Sequence, residues 1–278
     1  MTDQERQYLI EHLEYLQSKG IYDNDSRKDD VFQPCSCFRD EESALDENAI
    51  DNPFFSEESS WKEFWEICKE YYPLHSIAGS NIFNTKESII ENEKKEIKLI
   101  LHQLDLTDQL EYKNVLEIGF GFCGAGKYLI EECGAIYQGI DYTFSDEYDR
   151  NYSVNGIEQF HEIETSGIPE HLKNKNYDFI FSTNVFQHIT EEQRHNYIYD
   201  AYELLNNGGV LYFDEFVKNE GAEFPQGFAT NFFTVKTKVN SKSEILEFLN
   251  SIEFSEVEVI SISHINDTTS RIKIKCVK

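Results

Sequence analysis

NVLEIGFGFCGAGKYL, residues 114–129, decides how the rest of the chain is read. Asn114 to Phe120 is a short apolar run that carries Val115, Leu116 and Ile118. A run this short that ends in glycines fits a parallel strand covered on both faces. Gly119, Gly121 and Gly124 follow in GxGxxG spacing. A helix is expected to start near Cys123 or Gly124 and to turn Tyr128, Leu129 and Ile130 inward. Glycine has no Cβ and tolerates positive φ, so backbone at such a turn can approach a ligand closely. The turn also aims the free N–H groups of a helix N-terminus at whatever sits there.

Downstream of the turn, strands and helices alternate. Candidate strands lie at 114–120, 136–142, 157–163, 177–184 and 210–217, and candidate helices at 124–133, 145–153, 191–206 and 242–252. In the helix at 191–206, Tyr197, Ile198, Ala201, Leu204 and Leu205 share a face. Two last strands, 254–263 and 271–278, are joined by HINDTTS, too short for a parallel crossover, and are expected to form an antiparallel hairpin. The prediction is an α/β fold: a seven-stranded, mainly parallel Rossmann-like sheet with helices on both faces.

Upstream, residues 1–105 read as a helical cap or lid on a core at 106–278. Helices are expected at 3–18 (Leu9, Ile10, Leu13 and Leu16 inward) and from Trp61 to Tyr72. A third is expected from Asn84 to Leu104, with Asn84 and Glu87 as a capping box and Ile89, Ile90, Ile97, Leu101 and Leu104 as its buried face. Residues 20–60, rich in Asp, Glu, Ser and Asn, read as a long loop or lid. The stretch 218–241 reads as an insertion on the substrate side, carrying Phe224, Phe228, Phe232 and Phe233.

The 278 residues carry a net charge of −27. That balance speaks against gripping a nucleic-acid backbone, which takes Lys and Arg on the contact face. It does not choose a substrate: a solvated acidic surface accounts for it, and a preference for a cationic or amine-bearing small molecule is the weaker reading. Six scattered cysteines show no CxxC pair and no Cys/His cluster, so no metal site is expected and the thiols read as reduced and cytoplasmic. No apolar stretch approaches the ~20 residues of a membrane span, and no leader pattern opens the chain. Nothing in the sequence speaks to oligomeric state.

Three ligands compete for the glycine turn. Residues 121–127, GFCGAGK, satisfy the spacing of a phosphate-binding P-loop, and VLYFDE at 210–215 looks like its magnesium-holding strand. Tyr128 stands where the Ser or Thr that coordinates Mg²⁺ belongs, which defeats that match. A nicotinamide or flavin turn fits the glycines, with Asp141 following Glu117 by 24 residues for a ribose contact. Glu117, two residues before the first glycine, would repel a pyrophosphate.

The third reading joins ExGxGxxG (Glu117, Gly119, Gly121, Gly124), the acidic strand end Asp141, FSTNVFQHI at 181–189 and NNGGVLYF at 206–213. In this order, with the closing hairpin, these elements resemble the class I S-adenosylmethionine-dependent methyltransferases from residue 114 onward. The resemblance implies S-adenosyl-L-methionine as cofactor and a small-molecule methyl acceptor, with transfer to N or O. It implies that Glu117 faces the methionine end, that Gly119, Phe120 and Gly121 pass close to the cofactor, and that Asp141 accepts hydrogen bonds from the ribose hydroxyls. By the same resemblance Tyr142, Glu162 and Ile163 lie toward the adenine, and Asn184 and Val185 toward the methionine.

Each residue has a plainer role open to it. Glu117 could cap the following helix, Asp141 could close a strand-end turn, and Phe120 and Phe122 could be core. His188, in the loop after the fourth strand, is the candidate general base, with a loop-orienting role as its alternative. Asp214 and Glu215 could hold an amine or simply be solvated. A methyltransferase-like protein that binds without transferring is the non-enzymatic alternative.

Overall fold

A computed structural model describes residues 85–144, 150–163, 167–221, 240–264 and 269–278, with isolated positions among residues 6–14 and 63–67. The helices expected at 3–18 and 61–72, the loop at 20–60 and nearly all of the insertion at 218–241 lie outside the described residues.

The first complete element is helix α1, Lys86–Gln103. Its cap is Thr85, whose side chain accepts from the Ser88 N–H while the Ser88 hydroxyl accepts from the Thr85 N–H. The capping box expected at Asn84 and Glu87 is thus shifted by one residue. Ile89, Ile97, Ile100 and Leu101 form its buried face; Ile100 joins in and Ile90 is only half-buried. Strand β1, Asn114–Ile118, leads through the glycine turn into helix α2, Gly124–Glu131. Strand β2, Ile136–Asp141, follows. A two-residue hairpin, β3 (Ser153–Val154) with β4 (Ile157–Glu158), then precedes β5, Phe160–Glu162, so the single strand expected at 157–163 is two short pieces. Of the helix expected at 145–153, residues 145–149 lie outside the described residues, and Ser153 belongs to the hairpin instead.

Helix α3, Glu170–Lys173, precedes strand β6, Tyr177–Ser182, a 3₁₀ turn at Phe186–His188 and helix α4, Glu191–Leu204. Strand β7, Leu205–Lys218, is longer than expected, and helix α5, Lys242–Asn250, leads to β8, Glu256–His264, and β9, Thr269–Val277.

One seven-stranded sheet has the order β5-β2-β1-β6-β7-β9-β8. The first five strands in that order run parallel and β9 pairs antiparallel with both β7 and β8. Alternate residues of the strands feed two apolar clusters, as a sheet covered on both faces requires. Leu116, Ile118, Ile180, Leu211 and Phe213 join α4, α5 and Leu172 on one face. Val115, Tyr137, Phe179, Phe181 and Tyr212 join α1 and α2 on the other. Before residue 85, Ile67 is buried within the first cluster and Ile10 packs against it. Among the described residues no helix is long and apolar enough to cross a membrane.

Chain order reverses between β1 and β6, which leave the middle of the sheet in opposite directions. In open α/β sheets ligands bind outside the carboxyl ends of the strands at such a switch point. The glycine turn and the loop after β6 both lie there.

Candidate functional site

At the switch point the two loops touch. Gly119 has φ of 81°, and a Cβ placed on it would overlap Cγ2 of Val185. Its N–H donates to Ile140 O at 2.8 Å, which holds the turn against the end of β2. Cys123, with φ of 63°, is the N-cap of α2 and offers no side-chain bond to the open N–H groups. The N–H of Gly124, at the first helical position, and that of Phe122, just before the cap, are met from another element. Glu93, on α1, accepts from the Phe122 N–H at 3.1 Å through Oε1 and from the Gly124 N–H at 2.7 Å through Oε2. Gly124 is required here: an added Cβ would stand 2.6 Å from Ile90 O and 2.7 Å from Glu93 Oε2.

Asp141, at the end of β2, ties the turn to the next loop. It accepts from the Gly121 N–H at 3.0 Å and from its neighbour Tyr142's N–H at 2.7 Å, with Thr143 N–H a further donor. Glu117 points to the α1/α2 face, buried, and accepts from the Tyr137 hydroxyl at 2.5 Å. The alternative role of capping α2 belongs to Glu93, not to Glu117.

These carboxylates share one environment. Burial pushes Glu93 up to about 7 and Asp141 up to about 6, against the backbone N–H bonds that favour their ionised forms. Burial holds Glu117 well above the carboxylate range, with the Tyr137 bond opposing and Glu93 and Asp141 adding repulsion. Glu96, one turn along α1 from Glu93, is also raised by burial, partly offset by Arg271. The Arg271 guanidinium contacts Asp214 and lies 3.6 Å from Glu96, joining β9, β7 and α1. Asp214 also accepts from the Asn184 N–H at 2.9 Å, which fixes the loop after β6, where Asn184 has φ of 59°.

The other expected residues have surroundings of their own. The Phe120 ring is in the core against Phe144 and Phe160, with centroids at 5.3 and 5.2 Å, so only its backbone belongs to the turn. Phe122 is likewise buried. Tyr142 and Ile163 are buried in the cluster on the α4 face. Glu162 lies in register with Asp141 and pairs with Arg150 at 3.0 Å. Glu215 is not at the site: on the opposite face from Asp214, it is buried 3.0 Å from the equally buried Arg194. The backbone of His188 closes the 3₁₀ turn after β6, and its side chain lies outside the described residues. The P-loop reading finds no support in Lys127, whose ammonium lies over the Tyr152 ring at 5.5 Å, or in Asp214, which is held by Arg271.

No family model matches the chain. In sequence it is similar to the phosphoethanolamine N-methyltransferase of Plasmodium falciparum, 26% identical over 164 residues, or 58% of this chain and 59% of that protein. In structure it is similar to Haemonchus contortus phosphoethanolamine N-methyltransferase 2, solved with phosphomonomethylethanolamine and S-adenosylhomocysteine. The TM-score is 0.51 at 13% identity, covering 79% of this chain and 60% of the other. The fold is that of the class I S-adenosylmethionine-dependent methyltransferases. A mycolic acid cyclopropane synthase solved with S-adenosylhomocysteine shares this methyltransferase fold, with a TM-score of 0.50 at 12% identity over 68% of this chain and 85% of that one. The chain spans about three-fifths of the length of the first two methyltransferases it matches.

Glu117, Gly119, Gly121, Gly124, Asp141, Asn184 and Val185 lie together around the glycine turn and the ends of β2 and β6. Glu93 and Glu96 were missed. Sequence offered only their i, i+3 spacing on a helix face next to Ile89, Ile97 and Ile100, with nothing to say that the face meets the glycine turn.

Proposed function

We propose that the chain is an S-adenosylmethionine-dependent methyltransferase acting on a small, amine-bearing acceptor. The observation that carries this reading is the acidic lining of the glycine turn: Glu93, Glu117 and Asp141 with Glu96 beside them. A turn built for a diphosphate would keep its N–H groups open and carboxylates away. Here two N–H groups are filled by Glu93, and burial has driven Glu93 and Asp141 toward neutrality. A cation set among them restores their ionised forms, which is how a positively charged ligand is selected.

When bound, the cofactor supplies a methyl group already activated on a sulfonium. The protein's task is then alignment for in-line attack and exclusion of water. With three backbone N–H donors already on it, Asp141 retains about one lone-pair site and would accept there from the ribose. Glu117 and the backbone at Gly119 and Gly121 would face the methionine portion with Asn184 and Val185, and Glu162 and Ile163 the adenine side. His188 is the candidate base where the acceptor must lose a proton. Residues 1–105 would cover the acceptor side, together with the insertion at 218–241. Phosphoethanolamine is the first acceptor to try, because the similar methyltransferases of Plasmodium falciparum and Haemonchus contortus bear its name.

Calorimetric titration tests the reading. Saturable S-adenosylmethionine binding at micromolar concentration is expected, weakened at least tenfold in Asp141→Ala, with methyl transfer followed by mass spectrometry of the acceptor. Tight binding of NAD or ATP in its place would overturn it.

A further inference from the structure

We propose that Glu93 is the specificity residue of the glycine turn: its carboxylate occupies the N-terminus of α2, denies that position to a ligand phosphate, and converts an anion-binding motif into a seat for a cationic ligand. The inference rests on the methyltransferase reading above for the identity of that cation.

The geometry is that of an internal occupant. Both Glu93 oxygens are used, one on the Phe122 N–H and one on the Gly124 N–H, the donors a phosphate would take. Cys123 leaves the cap empty of its own side-chain bond, so Glu93 is the group that meets those donors. Gly124 provides the room, since any larger residue would strike Glu93 and Ile90 O. The carboxylate arrives from α1, 31 residues before Gly124, and the position is therefore set by tertiary packing rather than by the motif. A phosphate at the turn would meet the charge of Glu93, with Glu117 and Asp141 on neighbouring strands and Glu96 on the same helix. The Tyr137 hydroxyl, bound to Glu117, is the neutral group facing it from β2.

Glu93 acts on charge, and the test reads charge. Wild type, Glu93→Gln and Glu93→Ala are titrated with S-adenosylmethionine and with adenosine diphosphate, and thermal unfolding confirms that each variant is folded. Expected in Glu93→Ala is at least a tenfold gain in adenosine diphosphate affinity together with a tenfold or larger loss for S-adenosylmethionine. Glu93→Gln keeps the shape and removes the charge. It should lose much of the rise in S-adenosylmethionine affinity that the wild type shows as pH passes through about 7, where Glu93 ionises. Equal changes for both ligands, or none, would show a purely structural glutamate and overturn the proposal. If Glu93→Ala fails to fold, the Glu93→Gln pH profile decides alone: a profile like that of the wild type overturns it. Absence of S-adenosylmethionine binding in the wild type would refute the cofactor reading, while the adenosine diphosphate arm would still judge Glu93.

Discussion

Gly119 shows at a single residue how the turn and the neighbouring loop are fitted together. Its φ of 81° is costly for any residue with a Cβ, and that Cβ would also overlap Val185. Gly119→Ala is therefore expected to lose about 1–3 kcal/mol of stability, read from urea unfolding, and to weaken cofactor binding by moving the loop at Asn184. An unchanged midpoint would mean that the turn relaxes without cost. The need for glycine was visible in the sequence because it is a local backbone demand. Glu93 was not, because its contacts with Phe122 and Gly124 cross 29 and 31 residues of chain and no spacing rule connects a helix face to a distant turn. The capping box was misplaced for a related reason: Asn84 and Thr85 both carry capping side chains, and the extended backbone of Thr85 decides between them.

Helix α4 shows the same limit among the elements. Its apolar face was legible from Tyr197, Ile198 and Ala201, but Arg194 on the buried side was not. That guanidinium lies 3.0 Å from Glu215 on β7 and donates to Phe186 O and Ile189 O, both at 3.3 Å. It joins the 3₁₀ turn, the start of α4 and the middle of the sheet. Burial raises Glu215 to about 7 against the attraction of Arg194. Removing one partner strands the other, so Arg194→Met should cost about 3–5 kcal/mol in chemical unfolding. The double variant Arg194→Met/Glu215→Leu should recover much of that loss; no recovery would show that Arg194 matters through its carbonyl bonds instead. Strand β7 extends five residues upstream of the 210–217 expected for it. The ladder begins earlier, at Leu205 with Tyr177, and Gly208 and Gly209 exchange backbone bonds with Lys278.

For the molecule as a whole, buried carboxylates set a pH dependence of known sign. Glu93 and Glu215 stand at about 7 and Asp141 at about 6, all above their ordinary values and all raised first by burial. The folded state therefore binds more protons than the unfolded state. The stability these groups contribute is fully present below the ordinary carboxylate range and is lost as pH rises through about 6 to 7. Self-repulsion from a net charge of −27 acts in the same direction. The unliganded protein should melt several degrees higher at about pH 5.5 than at about pH 8, and the stabilisation by S-adenosylmethionine should be larger at the higher pH. Scanning fluorimetry at both values checks this, and a flat profile in the unliganded protein would contradict it. The alternation of strands and helices and the closing hairpin were legible in the sequence because period and loop length are local. The cross-sheet charge links were not.

The placement of β9 bears on how the protein is made. β9 follows β8 in the chain but lies between β8 and β7 in the sheet. While the chain is being synthesised, β8 emerges with no strand to join, and the edge of β7 stays open until β9 arrives. The same late strand delivers Arg271 to Asp214, which itself holds the loop at Asn184. The acidic site is thus left without its guanidinium until β9 has been translated, and a nascent chain stalled before Arg271 would expose both an unpaired strand edge and an uncompensated Asp214, a state suited to chaperone capture.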